Sequence, residues 1–462
     1  MERTIEQRTM VKVAWRLIPL IVLIYFVAYI DRTNVGFAAT GMNKDLGFSA
    51  YAYGWGAGIF FLGYFIFEVP SNIILHRIGA RIWIARIMVT WGIVSGAMMF
   101  IVGIRSFLLV RFLLGVAEAG FFPGAILYFT YWFPATYRAR VVSALFLSVP
   151  GSNAVAAAVS GAILKLDGVW GLAGWKWMFL LESVPAIILA PVVLFVLTER
   201  PAVAKWLAPD EREWLEGQLL KERKAIESTQ KPLTLGQLLA DSRLLGLSSI
   251  YLTIVSATYG ITFFLPLIIK AHGLSDMTTG FVTAAPYVIG TVGMMLWAYS
   301  SDRWNERRWH LILASLLAAI GLVGAAASTN LYWAIAAMSL ASIGVYAAKP
   351  CFWPLPSTFL SGTAAAGGIA LVNSIGNLGG FVGPYVVGWI KDRTQSYGAG
   401  LDFLAACALL SAIITFLLVK APPLSKIPTP ITPLPQPSVT PDRSSISPLR
   451  CLVVGSPTPL DS

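Results

Sequence analysis

Twelve times along this chain, roughly twenty predominantly apolar residues pass before a charge or a Pro/Gly cluster interrupts them. A helix of that length spans the hydrocarbon of a bilayer, and in lipid only a helix or a closed barrel satisfies its own backbone. The runs lie near 15–38, 52–75, 82–103, 106–132, 139–164, 177–198, 244–270, 276–300, 309–328, 331–355, 364–390 and 398–420. Composition agrees: 56% of residues are hydrophobic and 12% charged, with mean hydropathy +0.71, whereas soluble domains are about 25% charged. The fold class expected is therefore an all-α membrane protein of twelve transmembrane helices.

The formal charge of +11 does not point to nucleic acid, because the basic residues occupy short hairpins between apolar runs and form no polar face. They carry a topology signal instead. With the N-terminus inside, 24 of the 34 Lys and Arg fall on the inner side and seven on the outer; Arg32, Arg111 and Lys349 lie within spans. Both termini are thus expected in the cytoplasm, and the protein in the cell (inner) membrane. The first run is read as a retained span, since Asp31 and Arg32 interrupt it and nothing after it resembles a cleavage site.

The domains expected are a cytoplasmic N-terminus (1–14), a six-helix bundle (15–198), a cytoplasmic loop (199–243) with a surface helix from Asp210 to Ile226, a second six-helix bundle (244–420) and a disordered Pro/Ser-rich tail (421–462). The two halves repeat weakly. The basic hairpin after the second span, with Arg77 and Arg81, and that after the eighth, with Asp302 and Arg303, are 226 residues apart; the first and seventh spans are offset by 229.

Three cysteines (Cys351, Cys407, Cys451) and three histidines (His76, His272, His310) share no short spacing. Neither a disulfide framework, a metal site nor a nucleophile–base pair is suggested, so no enzyme and no cofactor is expected. Channels favour rings of repeated charge, whereas this chain has a pseudo-repeat with unequal charges in its halves.

An ionised side chain at mid-bilayer costs about 2.5 to 3.5 kcal/mol on insertion scales and so faces a cavity or a partner. Asp31 and Arg32 in the first span, Glu68 in the second, and Arg111 and Glu118 in the fourth qualify; Glu182 and Lys349 are read as less deep. Arg111 and Glu118, seven residues apart, share a helix face. Asp31 and Arg32 project about 100° apart, which would let Asp31 meet Arg111 while Arg32 faces the central path beside Tyr29. A carboxylate paired with a buried arginine takes up a proton when an anion claims that arginine, which couples anion to H⁺. The other reading makes these charges locks between helices. Glu68, just before Pro70, is a gate or a helix-end ion pair; Lys349 meets substrate or snorkels to the surface. Tyr64 lies one turn before Glu68, and Asn153 follows the Pro150-Gly151 break. Asn373 and Asn377 form an i, i+4 pair that serves either substrate contact or helix glue. Pro350, Pro354 and Pro356 around Phe352 and Trp353 suit a bending gate.

Five stretches resemble the major facilitator superfamily, and within it the anion:cation symporter family: Tyr29-Ile-Asp-Arg-Thr-Asn-Val-Gly36, Phe67-Glu-Val-Pro-Ser-Asn72, Arg111 to Gly124, Gly174-Trp-Lys-Trp-Met-Phe-Leu-Leu-Glu182, and Phe352-Trp-Pro-Leu-Pro356 with Asn373 to Gly380. The resemblance implies two pseudo-symmetric six-helix bundles, alternating access and proton-coupled transport of a small organic anion such as a sugar acid, dicarboxylate or aromatic acid. It implies Asp31 and Glu118 as proton carriers, Arg32 and Arg111 for binding and coupling, and Tyr29, Tyr64, Trp353 and Asn373 around the central site. With Asn153, Asn377 and Lys349 these make the expected binding set; Glu68, Arg77, Arg81, Asp302 and Arg303 make the gates. Where the superfamily hairpin has Gly and Asp, this chain has Asn72 and His76. The partners expected are the anion, protons and the bilayer, with the protein monomeric. An exchanger or uniporter of the same fold, or a non-transporting sensor, is the alternative.

Overall fold

The computed structural model describes residues 4–229, 235–356 and 362–419, and these are helical with no strand. The expected tail, 421–462, lies outside the described residues. The helices are α1 Ile5–Leu46, α2 Ala50–Ile78, α3 Ala80–Ala97, α4 Ile104–Glu118, α5 Phe121–Thr130, α6 Ala135–Ile163, α7 Gly174–Val196, α8 Pro209–Thr229, α9 Leu235–Ala240, α10 Ser242–Lys270, α11 Asp276–Trp304, α12 Arg308–Ala327, α13 Leu331–Phe352, α14 Gly362–Asn377, α15 Gly379–Thr394 and α16 Tyr397–Leu418.

Among the described residues eleven stretches are long and apolar enough to cross a membrane, α4 and α5 counting together as one. The twelfth expected run is also present but divides into α14 and α15, each 16 residues long. The protein is a multi-pass membrane protein. Both divisions depart from the uninterrupted helices expected. Between α4 and α5 the chain turns at Ala119 and Gly120, the latter at φ +87°, a left-handed conformation that glycine adopts without a Cβ penalty. The turn falls immediately after Glu118 and is pressed against α2, where a Cβ on Gly120 would meet Ser71 Oγ at 2.3 Å. Between α14 and α15, a Cβ on Gly379 would stand 2.2 Å from the Leu252 carbonyl of α10, so that backbone passes α10 at a distance only glycine allows.

Small residues set the helix spacing throughout, as expected where lipid tails compete with side chains for apolar contact. Within the first half, α2 packs on α4, α3 on α7, and α1 on α6 and α7. Within the second, α12 packs on α13 and α16, and α10 on α14, α15 and α16. The halves meet along α1 with α10, α2 with α15, and α6 with α11. At the end of the bundle away from α8 they are tightly closed: Asp392 accepts from the Ala50 and Tyr51 N–H groups at 3.0 Å, and a Cβ on Gly280 would stand 2.4 Å from the Ala157 carbonyl.

The loop helix forms as its amphipathic pattern predicts. Leu215 is buried and Trp214 half-buried, and α8 is held on the start of α1 by Lys12 Nζ at 2.7 Å and Arg8 Nε at 3.0 Å from Glu211. Burial pushes the Glu211 carboxyl up, but Lys12, the Ala208 N–H and Arg8 outweigh it and hold it below the ordinary carboxylate range. This docking is complete at neutral pH and is lost as the pH falls through that lowered range. Since α1 and α8 start on one side, an even number of crossings separates them.

The close approach of α2 and α4 gives a direct test. A Cβ on Gly115 would lie 2.0 Å from the Phe60 carbonyl, whereas one on Gly151 meets nothing within 4 Å. Gly115→Val should destabilise by about 1 to 3 kcal/mol or more and lower the thermal unfolding midpoint in detergent, with Gly151→Ala unchanged. Equal midpoints for both variants would contradict this packing.

Candidate functional site

The two charges of the first span diverge because neighbours on a helix point about 100° apart. Arg32 turns to the interface between halves, where it forms an ion pair with Glu118 of α4 and donates through Nη1 to Tyr259 Oη of α10 at 3.1 Å. The rings of Tyr29, Phe60 and Tyr64 surround its guanidinium at 4.8, 5.2 and 5.4 Å. Arg32 is 7% and Glu118 1% exposed, so each charge depends on the other for compensation. Tyr259 stands 230 residues after Tyr29, close to the offsets between halves in the sequence, and the two hydroxyls are 3.5 Å apart.

Asp31 does not meet Arg111. It turns into the first half, where Trp91 Nε1 and Ser95 Oγ of α3 donate to it at 2.9 and 2.8 Å. Arg111, fully enclosed, is spent on the backbone of α2: Nε and Nη2 donate to the Gly56 and Ala57 carbonyls at 3.3 and 3.1 Å, and Phe60 lies under the guanidinium. Those carbonyls are reachable because Gly56 and Gly115 admit a close α2–α4 contact.

A cavity of about 30 Å³ lies at the interface, with six of the expected binding residues on its wall: Tyr29, Arg32, Tyr64, Lys349, Asn373 and Asn377. Lys349 is enclosed, at 8% exposure, and does not snorkel; its Nζ sits 5.4 Å from the Tyr346 ring. Among the described residues no ion pair reaches it. Arg111 lies outside this wall, as do Asn153 and Trp353. Asn153 donates to Tyr346 Oη at 2.8 Å, and Trp353 stands behind the wall against Phe146 and Tyr251. Five wall residues escaped the sequence reading: Tyr25, Phe122, Phe146, Val149 and Tyr251. Tyr25, one turn before Tyr29, had a usable signal; the others are aromatic or aliphatic residues in apolar helices, where nothing marks a lining position. The volume equals about one water, so the walls must part to admit a metabolite.

On the α8 side of the cavity, Glu68 joins the halves. Asn373 Nδ2 and Ser374 Oγ of α14 donate to its two carboxylate oxygens at 2.9 and 3.1 Å. Asn373 thus touches both the cavity and this bridge. The other residues expected as gates lie in the two hairpins. Asp302 pairs with Arg307, while Arg303 reaches Tyr299 Oη at 3.4 Å. Arg77 and Arg81 are exposed, and Glu199, beyond α7, accepts from the Ala80 and Arg81 N–H groups at the start of α3. Glu306 does the same for α12 through the N–H groups of Trp309 and His310. Burial pushes the Glu306 carboxyl up, but these donors and the His310 ring outweigh it and hold it below its ordinary range. Among the described residues no His/Cys/Asp/Glu group could hold a metal.

A buried ion pair and a lined cavity between two six-helix halves are the architecture of a carrier, and the Major Facilitator Superfamily model matches residues 21–384. The chain belongs to the major facilitator superfamily. Two proteins of Agrobacterium vitis, each named "Putative tartrate transporter", are 50% identical to it over 419 and 423 residues, covering 91% and 92% of this chain and 93% and 97% of theirs. A "Quinolone resistance transporter" of Acinetobacter baumannii is 41% identical over 88% of this chain and 93% of its own. Among solved structures, an inward-facing, occupied bacterial homologue of the human lysosomal transporter Spinster superposes with a TM-score of 0.70 at 19% identity, covering 87% of this chain and 96% of that one. This superfamily carrier is a secondary transporter and not an enzyme.

The Arg32–Glu118 pair predicts strong non-additivity. Arg32→Ala leaves Glu118 buried and unpaired and should cost about 3 to 5 kcal/mol; adding Glu118→Ala should recover much of that loss in thermal unfolding. Additive losses would show that the two do not compensate each other.

Proposed function

We propose that this carrier is a proton-coupled symporter of a small organic anion, a dicarboxylate of tartrate type before a sugar acid or aromatic acid. The observation that carries the reading is the pair of enclosed cations, Arg32 and Lys349, on one cavity wall from opposite halves. An anion with two carboxylates meets one cation on each side, and a guanidinium fork holds a carboxylate in two places. The names of the Agrobacterium vitis relatives support the same class.

Coupling follows from competition for Arg32. A carboxylate that takes the guanidinium leaves Glu118 without its partner in a site of low polarity, and Glu118 then gains a proton. Asp31, held by neutral donors alone, is the second proton carrier. An anion that also engages Asn373 withdraws a donor from Glu68, so occupancy loosens the bridge on the α8 side while Asp392 and Tyr51 hold the other. Alternating access then exchanges the closed end. Tyr29, Tyr64 and Asn377 would contact the anion directly; Asn153 and Trp353 would hold the wall, and Arg111 would fix α4 against α2.

The carrier is taken to be a monomer in the cell membrane with both termini cytoplasmic, its bundles spanning 15–198 and 244–420 around the loop 199–243. The positive-inside bias and the docking of α8 on α1 support this arrangement.

In proteoliposomes, tartrate uptake should rise with an inward proton gradient. Asp31→Asn and Glu118→Gln should abolish that dependence while tartrate counterflow persists, and Lys349→Met should raise KM at least about tenfold. Gradient dependence that survives both carboxyl variants overturns the coupling, and an unchanged KM for Lys349→Met overturns the two-cation site. Uptake indifferent to the gradient in the unsubstituted protein indicates an exchanger or uniporter.

A further inference from the structure

Between the cavity and the closed end of the bundle, α6 sets Val149, Asn153 and Ala157 at one-turn spacing along one face. Val149 is on the cavity wall, and the Ala157 carbonyl is the atom that a Cβ on Gly280 of α11 would meet. Across the seam, α13 carries Lys349 on the wall, Tyr346 one turn before it and Ser342 one turn before that. One bond joins the two helices there: Asn153 Nδ2 donates to Tyr346 Oη at 2.8 Å. Asn153 is 3% and Tyr346 2% exposed. Asn153 Oδ1 has no hydrogen-bond partner among the described residues, so the hold of this amide on the second half rests on that one bond.

The Tyr346 ring is fixed from behind. An added Cβ on Gly290 of α11 would stand 3.0 Å from both Tyr346 Cδ2 and Ser342 Cβ, and the Tyr287 ring lies edge-on at 6.5 Å. The Lys349 ammonium is 5.4 Å from the centre of the same ring. A single ring thus connects a cation of the cavity wall to a bond between the halves. A cation at an aromatic ring draws electron density toward itself, which makes the phenol oxygen a poorer acceptor, and hydrogen bonds in surroundings of low polarity respond strongly to such fields.

We propose that Tyr346 is a positioning residue that ties the cavity to the closure of the end away from α8: its bond to Asn153 holds α6 to α13, and Lys349 weakens that bond while the cavity is empty. The gate requires only two halves that separate. That an anion tightens it, by neutralising Lys349, rests on the anion reading above. Loading then firms the far end while it loosens Glu68 on the α8 side, so both ends answer to one guest.

The test is labelling of a Val149→Cys carrier, its Cys351, Cys407 and Cys451 replaced by alanine, by a membrane-impermeant maleimide applied without substrate to the side away from α8. That side is assigned with Glu216→Cys, at an exposed position of α8, which labels only from the opposite side. Tyr346→Phe keeps the ring and removes the acceptor, and should raise the labelling rate about fivefold; Asn153→Ala should do the same. Ser315→Ala, which breaks a hydroxyl contact inside the second half, should leave the rate unchanged. Lys349→Met should slow labelling about twofold in the Val149→Cys carrier and change nothing once Tyr346→Phe is present. Unchanged rates in Tyr346→Phe and Asn153→Ala overturn the gate, as does an equal rise in Ser315→Ala. A Lys349→Met carrier that labels no more slowly, or a slowing that persists beside Tyr346→Phe, overturns the link to the cavity. Where Tyr346→Phe yields no folded carrier, Asn153→Ala takes its place in both comparisons. With no substrate present, failure here is distinct from failure of the anion reading, which tartrate uptake decides.

Discussion

Two opposite charges closed into a membrane protein must satisfy each other, and Arg32 and Glu118 do so where the halves of this carrier meet. Everything around them serves that pairing. The α4 helix stops directly after Glu118, the break resting on a left-handed glycine wedged against α2. Arg111, fully enclosed, fastens α4 to the α2 backbone and so fixes where Glu118 stands. Tyr259 joins Arg32 from the second half, which makes the ion pair sensitive to the distance between halves. In the proposed mechanism an anion competes for this pair on the seam between the halves, which would link binding to movement by electrostatics.

The polar interior divides into two compartments with different chemistry. At the seam, cations outnumber the carboxylates that pair with them, and the wall is aromatic, which suits a guest with negative charge and some apolar surface. Inside the first half, Asp31 accepts from Trp91 and Ser95 and Glu182 from Ser160, all neutral donors. The two are connected through α1, whose consecutive residues Asp31 and Arg32 face one compartment each. A rotation of that helix would disturb both at once, so the length and continuity of α1, 42 residues without a break, have a mechanical consequence.

Much of this was legible in the sequence. The apolar runs, the basic bias of one side, the amphipathic period of α8 and the cluster of intramembrane charges follow from solvation costs that each residue incurs by itself, so no partner need be known. What depends on a partner was not legible. Asp31 was open to meeting Arg111, but helix rotation sends it to Trp91 and Ser95; Lys349 was open to snorkelling, and only tertiary enclosure places it on the cavity wall. The breaks at Gly120 and Leu378 leave the apolar pattern intact and arise from helix contacts, so hydropathy reads straight through them. Aromatic wall residues such as Phe146 and Tyr251 look like any other lipid-compatible residue until the halves are assembled.

The central claim is that an anion taking Arg32 makes the protein take up a proton. Purified carrier in weakly buffered detergent solution, mixed with tartrate at neutral pH beside a pH-indicator dye, reads this without any membrane or gradient. The account predicts an alkaline shift corresponding to proton uptake on the order of one per bound tartrate, absent in Glu118→Gln. Tartrate binding, detected by calorimetry, with no proton uptake in the unsubstituted protein would contradict it.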